Sequence, residues 1–268
     1  MTIRLTILGA TGRMGQQLLA LRTEFPEFAL AGAVCAEGDP GLGRDADESI
    51  GRKPVGVIIT TDLGDALANT AVVVDFSSAA ATKAHLQACV QAGKPMLIGT
   101  TGHAPAMQAE FAAAARKIPL LIAPNTSLGV TLLLSLAEQA ARAMPEAYDV
   151  EIAETHHRHK VDAPSGTALA IGRAVAAGRG TILPQPAQST GSGRRVTGSV
   201  GFSVSRGGDV VGEHQLRFLG TGEQLVLGHI ATDRAIFARG ALTAASWLAG
   251  QRPGAYRMTD VINLKSTA

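Results

Sequence analysis

From residue 151 to residue 167 the chain reads Glu-Ile-Ala-Glu-Thr-His-His-Arg-His-Lys-Val-Asp-Ala-Pro-Ser-Gly-Thr. Three of its seven histidines, His156, His157 and His159, fall with Arg158 and Lys160 inside five consecutive positions. Imidazole is the side chain best able to supply a proton near neutral pH, which makes a histidine here a candidate proton donor. Lys160 adds a compact positive charge that can attract an anion or protonate a ring nitrogen. Pro164, Ser165, Gly166 and Thr167 read as a helix start, whose N–H groups and hydroxyls suit a carboxylate. Together these groups describe a site for a small, twice-negative substrate that also receives a proton. Two plainer readings compete, a solvated basic loop and a metal centre. The second lacks a Cys or a well-spaced carboxylate to complete a ligand set, and no metal is expected.

A second constellation lies at the other end of the chain. Gly9-Ala10-Thr11-Gly12-Arg13-Met14-Gly15 follows an apolar run directly and opens an amphipathic one. In such a turn Gly9 permits the sharp bend, Gly12 lets the backbone approach a pyrophosphate, and Gly15 lets the helix pack close to the sheet. Ligands of open α/β sheets sit outside the carboxyl ends of the strands. Three further strand ends carry small or hydrogen-bonding residues: Asp75-Phe76-Ser77, Gly99-Thr100-Thr101-Gly102 and Ala123-Pro124-Asn125-Thr126. Each alone is more often an ordinary loop; on one edge of one sheet they suggest a nicotinamide-ribose cleft. An acidic residue normally ends the second strand and binds the adenine ribose, but here the chain reads Val34-Cys35-Ala36-Glu37. Glu37 arrives a little late, while Arg13 or Arg44 would suit a 2′-phosphate. The sequence therefore predicts use of both NADH and NADPH with weak discrimination, within roughly 10-fold.

The elements that must position these groups follow from periodicity. Up to about residue 126, short apolar runs (3–8, 29–34, 55–60, 72–76, 95–98 and 120–122) alternate with Ala-rich amphipathic stretches. Continuous apolar strands separated by helices imply a doubly wound parallel sheet, Rossmann-like, covered on both faces. After residue 126 the character changes. A helix (about 128–143), a strand (148–154), a helix (about 165–177) and three strands (196–204, 209–218, 224–230) predict a second α+β domain with an open mixed or antiparallel sheet. Its last three strands read as a succession of hairpins, preceded by a Gly-, Pro-, Gln- and Ser-rich exposed loop (178–193). Domain boundaries are expected at 1–126 for dinucleotide binding and 127–237 for substrate binding and oligomerisation. A further helix covers about 233–248, and the tail of about 238–268 has the option of packing back on the first domain.

Bulk composition narrows the class. With one Trp and two Tyr among 268 residues, the core must be built from Ala, Val, Leu and Ile. A net charge of +2 provides no general field for a nucleic-acid backbone. No signal peptide or membrane span is legible, and Cys35 and Cys89 fit packing roles in a reducing, cytoplasmic compartment.

The run His-His-Arg-His-Lys-x-Asp-Ala-Pro-Ser-Gly-Thr-Ala resembles the signature of the 4-hydroxy-tetrahydrodipicolinate reductase family, formerly called dihydrodipicolinate reductase. The likeness extends to Gly-Ala-Thr-Gly-Arg-Met-Gly, Asp-Phe-Ser, Gly-Thr-Thr-Gly, Ala-Pro-Asn and Gly-Asp-Val-Val-Gly-Glu-His near residues 208–214. The resemblance implies an enzyme of lysine and diaminopimelate biosynthesis in which nicotinamide hydride reaches a small cyclic dicarboxylic imine as its hydroxyl leaves as water. It makes His156 the general acid and Lys160 a second catalytic residue, with His157, Gly166 and Thr167 as carboxylate contacts beside Ser165. Gly9, Ala10, Thr11, Gly12, Arg13, Met14, Phe76, Gly99, Thr100, Thr101, Ala123, Pro124, Asn125 and Thr126 fall in its cofactor loops. A homotetramer is also implied. The chain departs from the pattern at Cys35-Ala36, where members carry an acidic and often a basic residue. Rival readings are another two-domain nicotinamide enzyme, such as an amino-acid or semialdehyde dehydrogenase, and a non-catalytic redox sensor.

Overall fold

The structure is a computed structural model and describes residues 2–183 and 194–262. Most of the expected exposed loop, 184–193, and the last six residues of the tail lie outside the described residues. In chain order the elements are β1 (Ile3–Leu8), α1 (Arg13–Leu21), β2 (Phe28–Val34), β3 (Ile59–Thr60), α2 (Leu63–Leu67), β4 (Val72–Asp75), α3 (Ala79–Ala92), β5 (Met96–Ile98), α4 (Met107–Ala115), β6 (Pro119–Ile122), α5 (Leu128–Ala143), β7 (Asp149–His156), α6 (Gly166–Gly178), β8 (Val200–Arg206), β9 (Gly212–Leu219), β10 (Gln224–Ala231), α7 (Ala235–Leu248), β11 (Gly254–Tyr256) and α8 (Met258–Val261). They form two compact units: Met1–Ser127 with Ala235–Ala268, and Leu128–Arg234.

The first unit holds a seven-stranded sheet of order β11-β6-β5-β4-β1-β2-β3, every pair parallel. Its strands are mainly apolar because both faces are covered; Val72 to Asp75 are buried without exception. The strand order reverses at β1, flanked by β4 and β2, which is the switch point where open α/β sheets bind ligands. Register sharpens this. Leu8 pairs with Asp75, Asp75 with Ile98, and Ile98 with Ile122, so four strands end level and their loops start side by side.

Two elements differ from the periodicity. The apolar run 55–60 contributes only Ile59 and Thr60 to the sheet. Its start is held locally instead: Val55 and Gly56 donate their N–H groups to the Asp45 carboxylate, Ala46 donates to Val57 O, and Ile58 bridges back to Asp45. The helix α7 ends at Leu248, and beyond Pro253 the chain adds the edge strand β11 beside β6. Before it, α7 packs through Ala235, Ala238, Ala241, Ala244 and Ala245 onto α1, β4, β5 and β6. Small side chains permit that close approach.

The second unit is a four-stranded sheet of order β10-β9-β7-β8. Only β9 and β10 form a hairpin. β8 pairs with β7, and in parallel, so the expected hairpin between 196–204 and 209–218 is not made. Alternating burial shows that a strand has one covered face without naming its neighbour. Here β7, α6 and β8 make a parallel crossover unit, and β9 takes the other side of β7. Helices α5 and α6 cover one sheet face with a core that includes Leu133, Val150, Ile152, Ile171, Phe202 and Phe218.

Candidate functional site

In the second unit the site grows from the period of a strand. Glu154 and His156 are two apart on β7 and so point to the same side, where both are buried. The register of β9 sets His214 opposite Glu154, and that of β8 sets Arg206 opposite His156. Ser165 ends the loop that follows β7 and caps α6, its hydroxyl accepting the Ala168 N–H at 3.1 Å.

Glu154 is the hub. Its Oε1 accepts the Ser165 N–H at 2.9 Å and the Arg206 guanidinium at 3.1 Å. Its Oε2 lies 3.4 Å from His156 Nδ1 and 3.6 Å from His214 Nε2. The two imidazole rings meet edge to face at 5.0 Å, and Ser165 Oγ lies 3.2 Å from His214 Nε2. Burial pushes the Glu154 carboxyl up, but hydrogen bonds from His214, Ser165 and Arg206 outweigh it and hold the pKa at about 2. For His156, burial is the largest influence and lowers its pKa. Glu154 opposes the shift, while the charges of His214, Lys160 and Arg206 reinforce it, and the result is about 4. At neutral pH the cluster is therefore a carboxylate beside a neutral His156. The donor atoms of Glu154, His156 and His214 lie within 4.8 Å of one another. Arg206 already supplies positive charge at that carboxylate.

The remaining residues expected at this site lie on the same loop or at the start of α6, outside the buried cluster. Lys160 pairs with Asp162 at 2.7 Å and is close enough to disfavour a charged His156. His157 Nε2 is 3.0 Å from Arg234 Nη2; burial, then Arg234, lowers its pKa. Arg206 donates to Asp162 O at 2.6 Å as well as to Glu154, so it ties the loop to the sheet. Gly166 and Thr167 open α6 directly after Ser165.

The first unit carries the second group. At Gly9 φ is +81°, and the N–H groups of Gly9 and Ala10 both donate to Val34 O at 2.9 Å, folding the turn over the end of β2. A Cβ on Gly15 would stand 2.1 Å from Gly9 O, whereas one on Gly12 would meet only that oxygen, at 3.3 Å. Gly15 is thus required for close packing. Gly12, exposed at the N-cap of α1, leaves open space that a side chain would fill, which is the fit a pyrophosphate needs. Arg13 beside it is exposed and Met14 half-buried.

The neighbouring loops are laced to adjacent strand ends. Phe76 N–H donates to Leu8 O, Gly99 N–H to Asp75 O and Ala123 N–H to Ile98 O. The Phe76 ring lies across Gly99, where a Cβ would be 2.2 Å from it. Thr100 is buried and Thr101 exposed. Pro124 is exposed, and Asn125 Oδ1 accepts the Ser127 N–H at 2.9 Å. Thr126 is buried, its hydroxyl donating to Phe237 O at 2.6 Å and tying the loop to α7.

Several residues of both sites carry no assignment from the sequence. Glu154 was findable, since it precedes His156 by one strand period. His214 and Arg206 become neighbours only through strand pairing. Asp75 is fully buried; its Oδ1 accepts both the N–H and the hydroxyl of Ser77, and its Oδ2 is 3.2 Å from His85 Nδ1. The strand end Asp75-Phe76-Ser77 was legible, but its pairing with His85 on the Ala-rich α3 was not.

The thiols argue against the semialdehyde dehydrogenase reading. Burial raises both, Cys35 with help from Asp39 and Cys89 with help from Asp75 to about 12, the reverse of an activated nucleophile.

Comparison with known proteins agrees with the geometry. The family models described as dihydrodipicolinate reductase, N-terminus and C-terminus, match residues 3–126 and 129–262. The 4-hydroxy-tetrahydrodipicolinate reductase of Anaeromyxobacter dehalogenans strain 2CP-1 is 45% identical over 265 residues, 98% of each chain. That of Thiobacillus denitrificans is 46% identical over 268 residues, 99% of this chain and all of the other. Among solved structures, a dipicolinate-bound dihydrodipicolinate reductase from Paenisporosarcina sp. TG-14 shares the fold, with a TM-score of 0.79, 24% identity and coverage of 98% of this chain and 100% of that one. An amine dehydrogenase from Mycobacterium smegmatis shares it more loosely, at a TM-score of 0.60 and 13% identity over 95% of this chain and 94% of that one. The chain belongs to the dihydrodipicolinate reductase family of NAD(P)H-dependent oxidoreductases.

Proposed function

We propose that the protein reduces (2S,4S)-4-hydroxy-2,3,4,5-tetrahydrodipicolinate to tetrahydrodipicolinate with loss of water, a step of lysine and diaminopimelate biosynthesis. The observation that carries this reading is a buried, neutral His156 set between the Glu154 carboxylate and the cations Arg206 and Lys160, beside the start of α6. In this reading the unit containing β1 to β6 holds the dinucleotide: Gly9 to Met14 at its phosphates, and Phe76, Gly99 to Thr101 and Ala123 to Thr126 along the rest. When bound, the reduced nicotinamide supplies the hydride.

The protein's own groups handle charge and protons. Burial first, and then the charges of His214, Lys160 and Arg206, lower the His156 pKa in the free protein. A dianionic substrate placed beside those cations offsets their part of the shift and favours the protonated ring, which lets His156 serve as proton donor. Glu154 stays ionised and orients the ring, as a carboxylate partner commonly does for a catalytic histidine. Ser165, Gly166 and Thr167 present the start of α6 to one carboxylate. Lys160, released from Asp162, meets the ring nitrogen, and His157 stands by a carboxylate. Self-association as a homotetramer is supported by the four-stranded sheet, whose edge strand β10 leaves Val226 and Ile230 exposed at 45% and 67%. Buried, unpaired Cys35 and Cys89 support a cytoplasmic location.

The test is a coupled assay in which the unstable substrate is generated from pyruvate and aspartate semialdehyde by its synthase and cofactor absorbance is followed. Oxidation of NADH or NADPH should require both the protein and the synthase. A folded, cofactor-binding protein that gives no synthase-dependent oxidation overturns the reading.

The His156 environment also predicts a pH dependence of stability. The folded state keeps His156 unprotonated down to about pH 4, whereas the unfolded chain binds that proton near 6.5. The His156 contribution is therefore constant above pH 6.5 and lowers stability by on the order of 3 kcal/mol between 6.5 and 4. Urea unfolding of parent and His156→Asn across that range should show a flatter profile in the variant. Equal slopes would assign the effect to other groups.

A further inference from the structure

We propose that Asp39 is the residue that selects the unphosphorylated cofactor, taking the place of the acidic residue missing at Cys35-Ala36. The inference rests on the cofactor reading above and goes beyond it by naming which nicotinamide form the site prefers.

The carboxylate that discriminates between the two forms normally ends the second strand, beside the Gly-rich turn. In this chain β2 ends at Val34 and the next two residues are neutral. The backbone then doubles back: Asp39 N–H donates to Ala36 O, and Asp39 O accepts from Leu42 N–H. This turn sets the Asp39 carboxylate against the Gly-rich loop, where Oδ2 accepts the Thr11 hydroxyl at 2.7 Å. The other oxygen, Oδ1, accepts the Gly41 N–H at 2.8 Å, which fixes the side-chain rotamer. Gly41 itself is pressed on Thr11; a Cβ there would lie 2.6 Å from Thr11 Cγ2. Asp39 also raises the Cys35 thiol, so its charge reaches back to the position where the missing acid would stand. Glu37, by contrast, is exposed on the turn. A carboxylate held at this place accepts hydrogen bonds from ribose hydroxyls and repels a 2′-phosphate. Arg13 and Arg44 are exposed cations, and among the described residues neither has a side-chain hydrogen bond that would aim it at the same point.

The measurement is equilibrium binding of NADH and of NADPH, by calorimetry, to the parent and to Asp39→Asn, Asp39→Ser and Glu37→Gln. With Asp39 in that place the parent should exceed the weak discrimination expected from Cys35-Ala36 alone and bind NADH more tightly by at least about 10-fold, the factor that one hydrogen bond to a charged group supplies. Asp39→Asn and Asp39→Ser should each bring the two affinities within about 3-fold, and Glu37→Gln should leave the parent ratio unchanged. Equal affinities in the parent, a preference for NADPH, or a ratio that survives in both Asp39 variants overturns the assignment while leaving the cofactor site intact. Collapse of the ratio in Glu37→Gln alone moves the role to Glu37. A parent that binds neither form overturns the cofactor reading and this inference with it.

Discussion

His156→Ala should lower turnover by about 10²- to 10⁴-fold, the usual loss for a single general acid, while leaving the dissociation constant for NADH within a factor of about two. The expectation follows from where the side chain stands. His156 belongs to the second unit, buried on β7 against Glu154 and His214. Lys160→Ala should also cost turnover, but with a larger share in KM, because its ammonium contributes charge at a partly exposed position, now shared with Asp162. Steady-state kinetics in the synthase-coupled assay, alongside calorimetric titration with cofactor, separates the two quantities. Near-normal kcat in both variants would remove this cluster from the reaction.

The second large effect concerns two glycines three residues apart with opposite consequences. Gly12→Val should fold, since its Cβ meets only Gly9 O at 3.3 Å, yet its branched side chain fills the space where a pyrophosphate approaches the start of α1. Affinity for NADH and NADPH should fall together, by about 100-fold or more, as expected when phosphate contacts at a helix start are displaced. Gly15→Val should fail earlier. Its Cβ would lie 2.1 Å from Gly9 O and 2.6 Å from Ala10 Cα, and backbone atoms cannot swing aside as a side chain can. Overpacking of this kind costs about 1–3 kcal/mol or more and should appear as a lowered unfolding midpoint. Thermal melts combined with cofactor titration tell the cases apart. A Gly12→Val protein that binds cofactor normally would place the phosphate site elsewhere.

Much of this arrangement is legible in the residue order. Strands buried on both faces write themselves as unbroken apolar runs, which is why β1, β2, β4, β5 and β6 can be read to within a residue or two. The His-rich turn and the cap at Ser165 are local features, and local chemistry announces them. What stays hidden depends on pairing. His214 lies opposite Glu154 only because β9 takes the inner edge of β7, and the patterns of β8 and β9 would suit a hairpin equally well. The shortening of the run 55–60 to a two-residue strand traces to one carboxylate, Asp45, which collects the N–H groups of Val55 and Gly56 that a ladder would otherwise use. Asp39 escapes for the same reason: a five-residue offset from the end of β2 looks too distant until the turn at Ala36 brings it back to Thr11. Residue spacing reports what a segment is able to form, and long-range hydrogen bonds decide which of those options is taken.

The return of α7 to the sheet of β4, β5 and β6 has a consequence for how the molecule is made. Residues Leu128–Arg234 form a compact unit whose chain is continuous, so every part of its core has left the ribosome by the time Arg234 has cleared it. The first unit begins earlier but ends later. Its β4 to β6 face waits for the alanine face of α7, and its outer edge for β11, more than a hundred residues after β6. During synthesis the unit encoded second is therefore the first able to close, while the nucleotide-binding sheet spends that interval with an apolar face uncovered, the condition in which nascent chains most need a chaperone.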